Sequence, residues 1–239
     1  MSELFKELAY SVTPMGELIL RRRRELSLDV DVYEIKLNGE FLMSSLFTVA
    51  EKELAHIGLA ALDAKEADIV VGGLGLGYTA EAALEHEAVQ SLTVIDNIAE
   101  VIEWHRQKLV PLGEVLTEDP RCRLVEGDFF AMAANDGFDP DRPHRLFHAV
   151  LLDVDHSPAL TLHPSHDVFY TRDGLARLKD RLHPGGVFAM WSNDPPEAEF
   201  SAALADVFPE TEAHIVRFPN HLQNRDATAT IYVAVNAAR

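Results

Sequence analysis

Apolar positions recur at a spacing of two near the start of the chain, then at helical spacing, and further on in short continuous runs. Residues 10–12, 17–21 and 32–37 read as strands, the last closed by the Asn38-Gly39 turn signal, with 41–43 as the strand returning from it. From Thr48 the spacing turns helical: Ala50, Leu54, Ile57 and Ala61 share one face, with Glu51 and Lys52 off it. Beyond Ala67, mostly apolar strands at 69–71, 92–95, 122–125, 149–152 and 186–191 alternate with helical stretches at 79–86, 98–110, 172–181 and 197–207. Strands this apolar are buried on both faces, and alternating βα units imply a mostly parallel sheet covered by helices. The chain then ends on two strand-like segments, 214–218 and 227–234, joined by a polar loop. The expected organisation is a small N-terminal β-hairpin unit with its helix over 1–60, followed by an α/β domain over 61–239.

Charge narrows the partners. Asp and Glu number 39 against 21 Lys and Arg, a net charge of −18. Such a surface repels nucleic acid and anionic membrane and favours a cationic partner such as an amine. The basic run Arg21-Arg22-Arg23-Arg24 is read as a strand end or an oligomer contact. Cys122 is the single cysteine, so neither an internal disulfide nor a cysteine metal site is expected. No apolar run approaches the ~20 residues of a membrane span. The first ten residues lack the basic-then-apolar order of a signal peptide, so the expected location is cytoplasmic.

Candidate chemistry gathers at the strand ends. In VVGGLGLGYTAEAAL, Gly73, Gly75 and Gly77 lie between the first buried strand and a helix, with Thr79 as a possible cap. Their spacing is tighter than the G-x-G-x-x-G of dinucleotide sites and suits an S-adenosylmethionine-binding loop. Asp96, with Asn97 beside it, ends the next strand about twenty residues on, where a carboxylate accepts from ribose hydroxyls; the alternative is a cap on the helix at Ile98. Gly127-Asp128-Phe129 follows the third strand, where Asp128 would meet the adenine amine and Phe129 its ring. Asp153-Val154-Asp155-His156-Ser157-Pro158 follows the fourth strand, at the edge where open α/β sheets bind ligands. There Asp153, Asp155 and His156 are candidates for holding and deprotonating a substrate amine, with turn chemistry as the alternative.

The order of these motifs, with the terminal antiparallel pair, indicates a Rossmann-like, class I methyltransferase-type sheet carrying a small N-terminal β domain. LNGEFLMSSLFT, VVGGLGLG, DPRCRLVEGDFF, AVLLDVDHSP and FYTRDGLARLKDRLHPGGVFAMWS resemble the spermidine synthase family, the polyamine aminopropyltransferases, in that order and over most of the chain. The resemblance implies a gate helix after the hairpin, a donor related to S-adenosylmethionine bound partly by Asp153, and pairing of subunits, hence a homodimer. Several positions depart from the family. Leu74 and Leu76 interrupt its usual G-G-G-D-G loop, and Asp96 stands where it commonly has Glu. Residues 42–53 hold neither its hairpin Gln nor its gate Tyr, and His156, with Asp155 beside it, stands where a second aspartate is expected.

Methyl transfer from S-adenosylmethionine to a small amine-bearing acceptor is therefore ranked first. Aminopropyl transfer from the decarboxylated donor to a polyamine comes second, and a non-catalytic adenosyl-ligand-binding protein third. His156, His163 and His166 match no metal-ligand spacing, so no metal is expected. Trp191 and Asn193 are candidates for the acceptor pocket, and the polar segment Asn220, His221, Gln223, Asn224 for a loop closing over it.

Overall fold

The computed structural model describes residues 4–220 and 222–237; His221 lies outside them. A four-stranded antiparallel meander comes first: β1 (Phe5–Thr13), β2 (Gly16–Glu25), β3 (Val30–Leu37) and β4 (Glu40–Ser44). The basic run lies on β2 and is largely neutralised at home. Arg21 and Arg23 clamp the buried Glu34 at 2.6 and 2.8 Å, and Arg24 pairs with Asp29 and Asp31.

Helix α1 (Val49–Ala60) follows. Its buried face is Ala50, Leu54, Ala55, Gly58 and Leu59, rotated from the expected one, so Ala61 is exposed. The α/β part contains β5 (Ala67–Gly72), α2 (Tyr78–Leu84), β6 (Val89–Asp96), α3 (Ala99–Arg106), α4 (Gly113–Glu118), β7 (Cys122–Glu126), α5 (Phe129–Ala134) and β8 (Phe147–Leu152). After these come α6 (Arg172–Lys179), β9 (Leu182–Ser192), α7 (Ala198–Val207), β10 (Glu210–Asn220) and β11 (Arg225–Val235).

The second sheet runs β10-β11-β9-β8-β5-β6-β7, parallel from β9 to β7, with β10 and β11 antiparallel at one edge. This is the expected α/β sheet with a separate antiparallel β sheet. Each face carries its own apolar layer. One, built on Val71, Leu151 and Ala189, receives α1, while the other holds the aromatic group Phe129, Phe138, Phe169 and Phe188. Two helices escape the pattern: the stretch expected at 98–110 ends at Arg106 as α3 and α4 follows beyond it unannounced, and the short α5 lies where only a turn is expected. Of the segment expected to close over the site, Asn220 ends β10, and Gln223 and Asn224 lie just before β11; none of these three lines the cavity described below.

Candidate active site

A cavity of about 690 Å³ lies over the carboxyl ends of the parallel strands and is closed from above by β3, β4 and the start of α1. Its centre is the loop after β5. Gly73 and Gly75 sit at φ +95° and +47°, a left-handed region that L side chains avoid. A Cβ on Gly73 would strike the Asp153 carbonyl, and one on Gly75 would lie 2.5 Å from the Met43 sulfur. Gly75 is thus required by backbone conformation and by β4 packing over it. Met43 is a contact the sequence does not announce: its Sδ accepts from the Leu76 N–H at 2.9 Å. Gly77, at φ +94°, is the residue before α2, so Thr79 is not the cap. The buried Thr79 hydroxyl instead donates to Asp153 Oδ2 at 2.7 Å and lies 3.2 Å from the Glu51 carbonyl oxygen.

Asp96 performs the capping role and a second one. Oδ1 accepts from the Ile98 N–H at 2.8 Å and Oδ2 from the Leu74 N–H at 2.9 Å, tying β6 to the glycine loop. Burial nonetheless raises its pKa. Three backbone N–H groups, those of Ile98, Leu74 and Gly75, act on a carboxylate with four lone-pair sites, so it can still accept a bond from the cavity. Asn97 is exposed on the rim. Asp128 Oδ1 caps α5 through Phe130 N and Ala131 N, at 2.9 and 3.1 Å, and Oδ2 has no hydrogen bond among the described residues. Phe129 is 3% exposed, its ring stacked on Phe138 at 4.9 Å beneath Gly72, so most of it is core while an edge still reaches the cavity wall. The next residue, Phe130, also lines the cavity and is stacked at 3.9 Å on His166.

The fourth strand end separates the three catalytic candidates. Asp153 and His156 line the cavity, and Asp155 does not. Asp155 is buried and accepts from Leu162 N at 2.6 Å, Tyr170 Oη at 2.7 Å and His166 Nδ1 at 2.9 Å. It is a positioning residue that ties down the segment carrying His163 and His166, both on the cavity wall. No group of three His, Cys, Asp or Glu side chains among the described residues is arranged to hold a metal ion. Trp191 reaches the wall; Asn193 instead spends its N–H on the His156 carbonyl at 2.8 Å.

The second carboxylate at the reactive edge comes from α1. Glu51, set aside by its position off the apolar helix face, points into the cavity toward Asp153. Being off that face was the available signal, because a polar residue on a helix roofing a ligand edge faces the ligand. Burial, then repulsion by Asp153, pushes Glu51 up to about 8. Burial pushes Asp153 up to about 6 against the Thr79 hydrogen bond. The pair therefore holds about one proton near neutrality and has room for one more.

The family model described as the spermine/spermidine synthase domain matches residues 48–224. Polyamine aminopropyltransferase 2 of Pseudomonas aeruginosa is 29% identical over 167 residues, covering 66% of this chain and 44% of that protein. A spermine synthase of Saccharomyces cerevisiae is 25% identical over 179 residues, covering 72% of this chain and 56% of that protein. The chain thus spans about half the length of these curated relatives. Among solved structures, a spermidine synthase from Thermotoga maritima superposes with a TM-score of 0.73 at 16% identity, covering 98% of this chain and 74% of that one. That likeness is one of fold.

Proposed function

The chain belongs to the spermine/spermidine synthase family, and from that premise we propose that it transfers an aminopropyl group from decarboxylated S-adenosylmethionine to an amine. This reverses the order drawn from the sequence, where methyl transfer stood first. The names of the relatives support the reversal, and one observation on this chain carries it: among the described residues the cavity wall contains Glu51, Asp96, Asp128 and Asp153 and no Lys or Arg. Ordinary S-adenosylmethionine would bring its own carboxylate among four others with no cationic side chain to meet it. The decarboxylated donor brings only a sulfonium and an ammonium, both suited to an acidic wall.

In this reading Asp96 accepts from the ribose hydroxyls while holding the glycine loop, and Asp128 Oδ2 accepts from the adenine amine. Phe130 and His166 flank the base. The acceptor arrives as an ammonium and gives a proton to the ionised Asp153. Its freed lone pair forms the N–C bond as the C–S bond breaks, and the electron pair of that bond remains on sulfur as a neutral thioether. The pair of carboxylates then releases the proton to solvent. Most of the catalysis is orientation of amine, carbon and sulfur in line, with proton removal added. Calorimetric titration with both donors, followed by mass analysis of products with an amine, tests the reading. We place the functional division at residues 60 and 61, with α1 as the roof. Exposed Phe5, Tyr10, Val12 and Phe41 on the small sheet support pairing of two copies, which light scattering checks.

A further inference from the structure

Two histidines on the cavity wall have ring nitrogens that the reaction above does not use. His163 and His166 belong to the segment between β8 and α6, where a single 3-10 turn over Pro164–His166 sets their ring centroids 6.0 Å apart. The stack of His166 on Phe130 brings this segment to the end of the cavity where Asp128 lies. Each ring has one nitrogen committed to the protein, and the two commitments are opposite.

His166 turns Nδ1 inward. Asp155 Oδ1 accepts there at 2.9 Å and also takes the Leu162 N–H, while Oδ2 takes the Tyr170 hydroxyl. A carboxylate only accepts, so Nδ1 carries the hydrogen and Nε2 of the neutral ring is a bare acceptor. Nε2 lies on the far side of the ring from the buried Asp155, toward the cavity, and has no hydrogen bond among the described residues. His163 does the reverse. Its Nδ1 accepts from the Ser165 N–H at 3.2 Å and lies 2.8 Å from Ser165 Oγ. A backbone N–H only donates, so here Nδ1 is the bare nitrogen and Nε2 carries the hydrogen. The wall thus offers an acceptor on His166 and a donor on His163, near the free Oδ2 of Asp128. An adenine edge has the complementary order: an exocyclic amine with two hydrogens, then a ring nitrogen with a lone pair.

We infer that His163 and His166 read the purine of the donor. His166 accepts the second hydrogen of the 6-amino group, beside Asp128, and His163 donates to the neighbouring ring nitrogen. Asp155 and Ser165 act through them as positioning residues, by fixing the tautomers. A 6-oxo purine would set its carbonyl oxygen against two acceptors with no hydrogen between them, which leaves buried polar atoms unpaired. The inference deepens the proposed function and rests on the adenine nucleoside of its donor, whichever group is transferred.

The test is calorimetric titration of the purified chain with methylthioadenosine, the thioether the proposed reaction leaves, and with methylthioinosine, its 6-oxo counterpart. The parent should bind methylthioadenosine about thirtyfold more tightly or better, since a site built on hydrogen bonds rejects the mismatched analogue strongly. His166→Phe keeps a ring on Phe130 and removes the nitrogen, so the ratio should fall by roughly fivefold to tenfold. An unchanged ratio in the folded variant overturns the role of His166. The 1-deaza and 7-deaza analogues of methylthioadenosine each lack one ring acceptor. One of them should bind the parent about threefold more weakly or worse, the cost of one exposed hydrogen bond, and that loss should vanish in His163→Phe. No loss with either analogue, or the same loss in parent and variant, overturns the role of His163. No binding of methylthioadenosine by the folded parent overturns the inference together with the proposed donor, whereas binding without discrimination overturns the inference alone.

Discussion

Replacing Asp153 with Asn separates donor binding from chemistry. The substitution is nearly isosteric: the amide oxygen can keep the Thr79 hydrogen bond, 2.7 Å in the parent, while the amide nitrogen turns to the cavity. What disappears is the charge that holds the ammonium and the base that takes its proton. A lost acid–base group costs roughly 10²–10⁴ in turnover. At about 1.4 kcal/mol per tenfold this corresponds to about 3–5 kcal/mol of barrier. A second effect follows from the pairing. Repulsion by Asp153 is part of what lifts Glu51 to about 8, so without it Glu51 should titrate lower, with burial alone still holding it up. Any residual activity should therefore rise with pH along a limb displaced toward acid relative to the parent. The assay is steady-state turnover across pH with calorimetric donor affinity on the same preparation. Full turnover with unchanged donor affinity would refute Asp153 as the proton acceptor.

Other outcomes follow from the same geometry. Glu51→Gln should lower turnover and raise stability: a carboxyl held up to about 8 in the fold, against about 4.3 when unfolded, loses stability as pH rises through that window. Its melting temperature should therefore exceed the parent's most clearly above pH 8 and converge with it below about pH 4, as scanning calorimetry would record. Asp155→Asn breaks a buried node of three donors and should cost about 1–3 kcal/mol in urea unfolding, while lowering turnover far less than Asp153→Asn does. Gly75→Ala places a side chain at φ +47° against Met43, costing about 1–2 kcal/mol from backbone conformation alone, and donor binding by calorimetry should be lost. Asp96→Ala should weaken the donor by about 1–3 kcal/mol, with proteolysis near Leu74 reporting the released loop.

The fold was legible because its signals are periodic. The parallel strands are apolar on both faces, and their spacing allows little but a βα sheet, so all five were found near their observed places. The short α5 was hidden because its start, Asp128-Phe129-Phe130, reads equally as a turn; only the capping bonds of Asp128 make it a helix. Site residues presented at strand ends were recognisable by type and position: Asp96, Asp128 and Asp153 all reach the cavity. Direction was not recognisable. Asp155 lies one residue from cavity-facing neighbours and turns into the core, because the layer under β8 supplies Tyr170 as a partner, and Phe129 gives most of its ring to Phe138 while only its edge lines the cavity. Glu51 and Met43 come from distant segments, and contacts across that separation leave no local pattern.

The central claim is that an acidic cavity selects a donor without a carboxylate and moves its aminopropyl group. Equilibrium titration of the purified chain with S-adenosylmethionine and with its decarboxylated form, followed by mass analysis of the amine product, tests both halves in one preparation. The account predicts tighter binding of the decarboxylated donor and a product heavier than the amine by one aminopropyl group. Tighter binding of S-adenosylmethionine with a product heavier by one methyl group would contradict it.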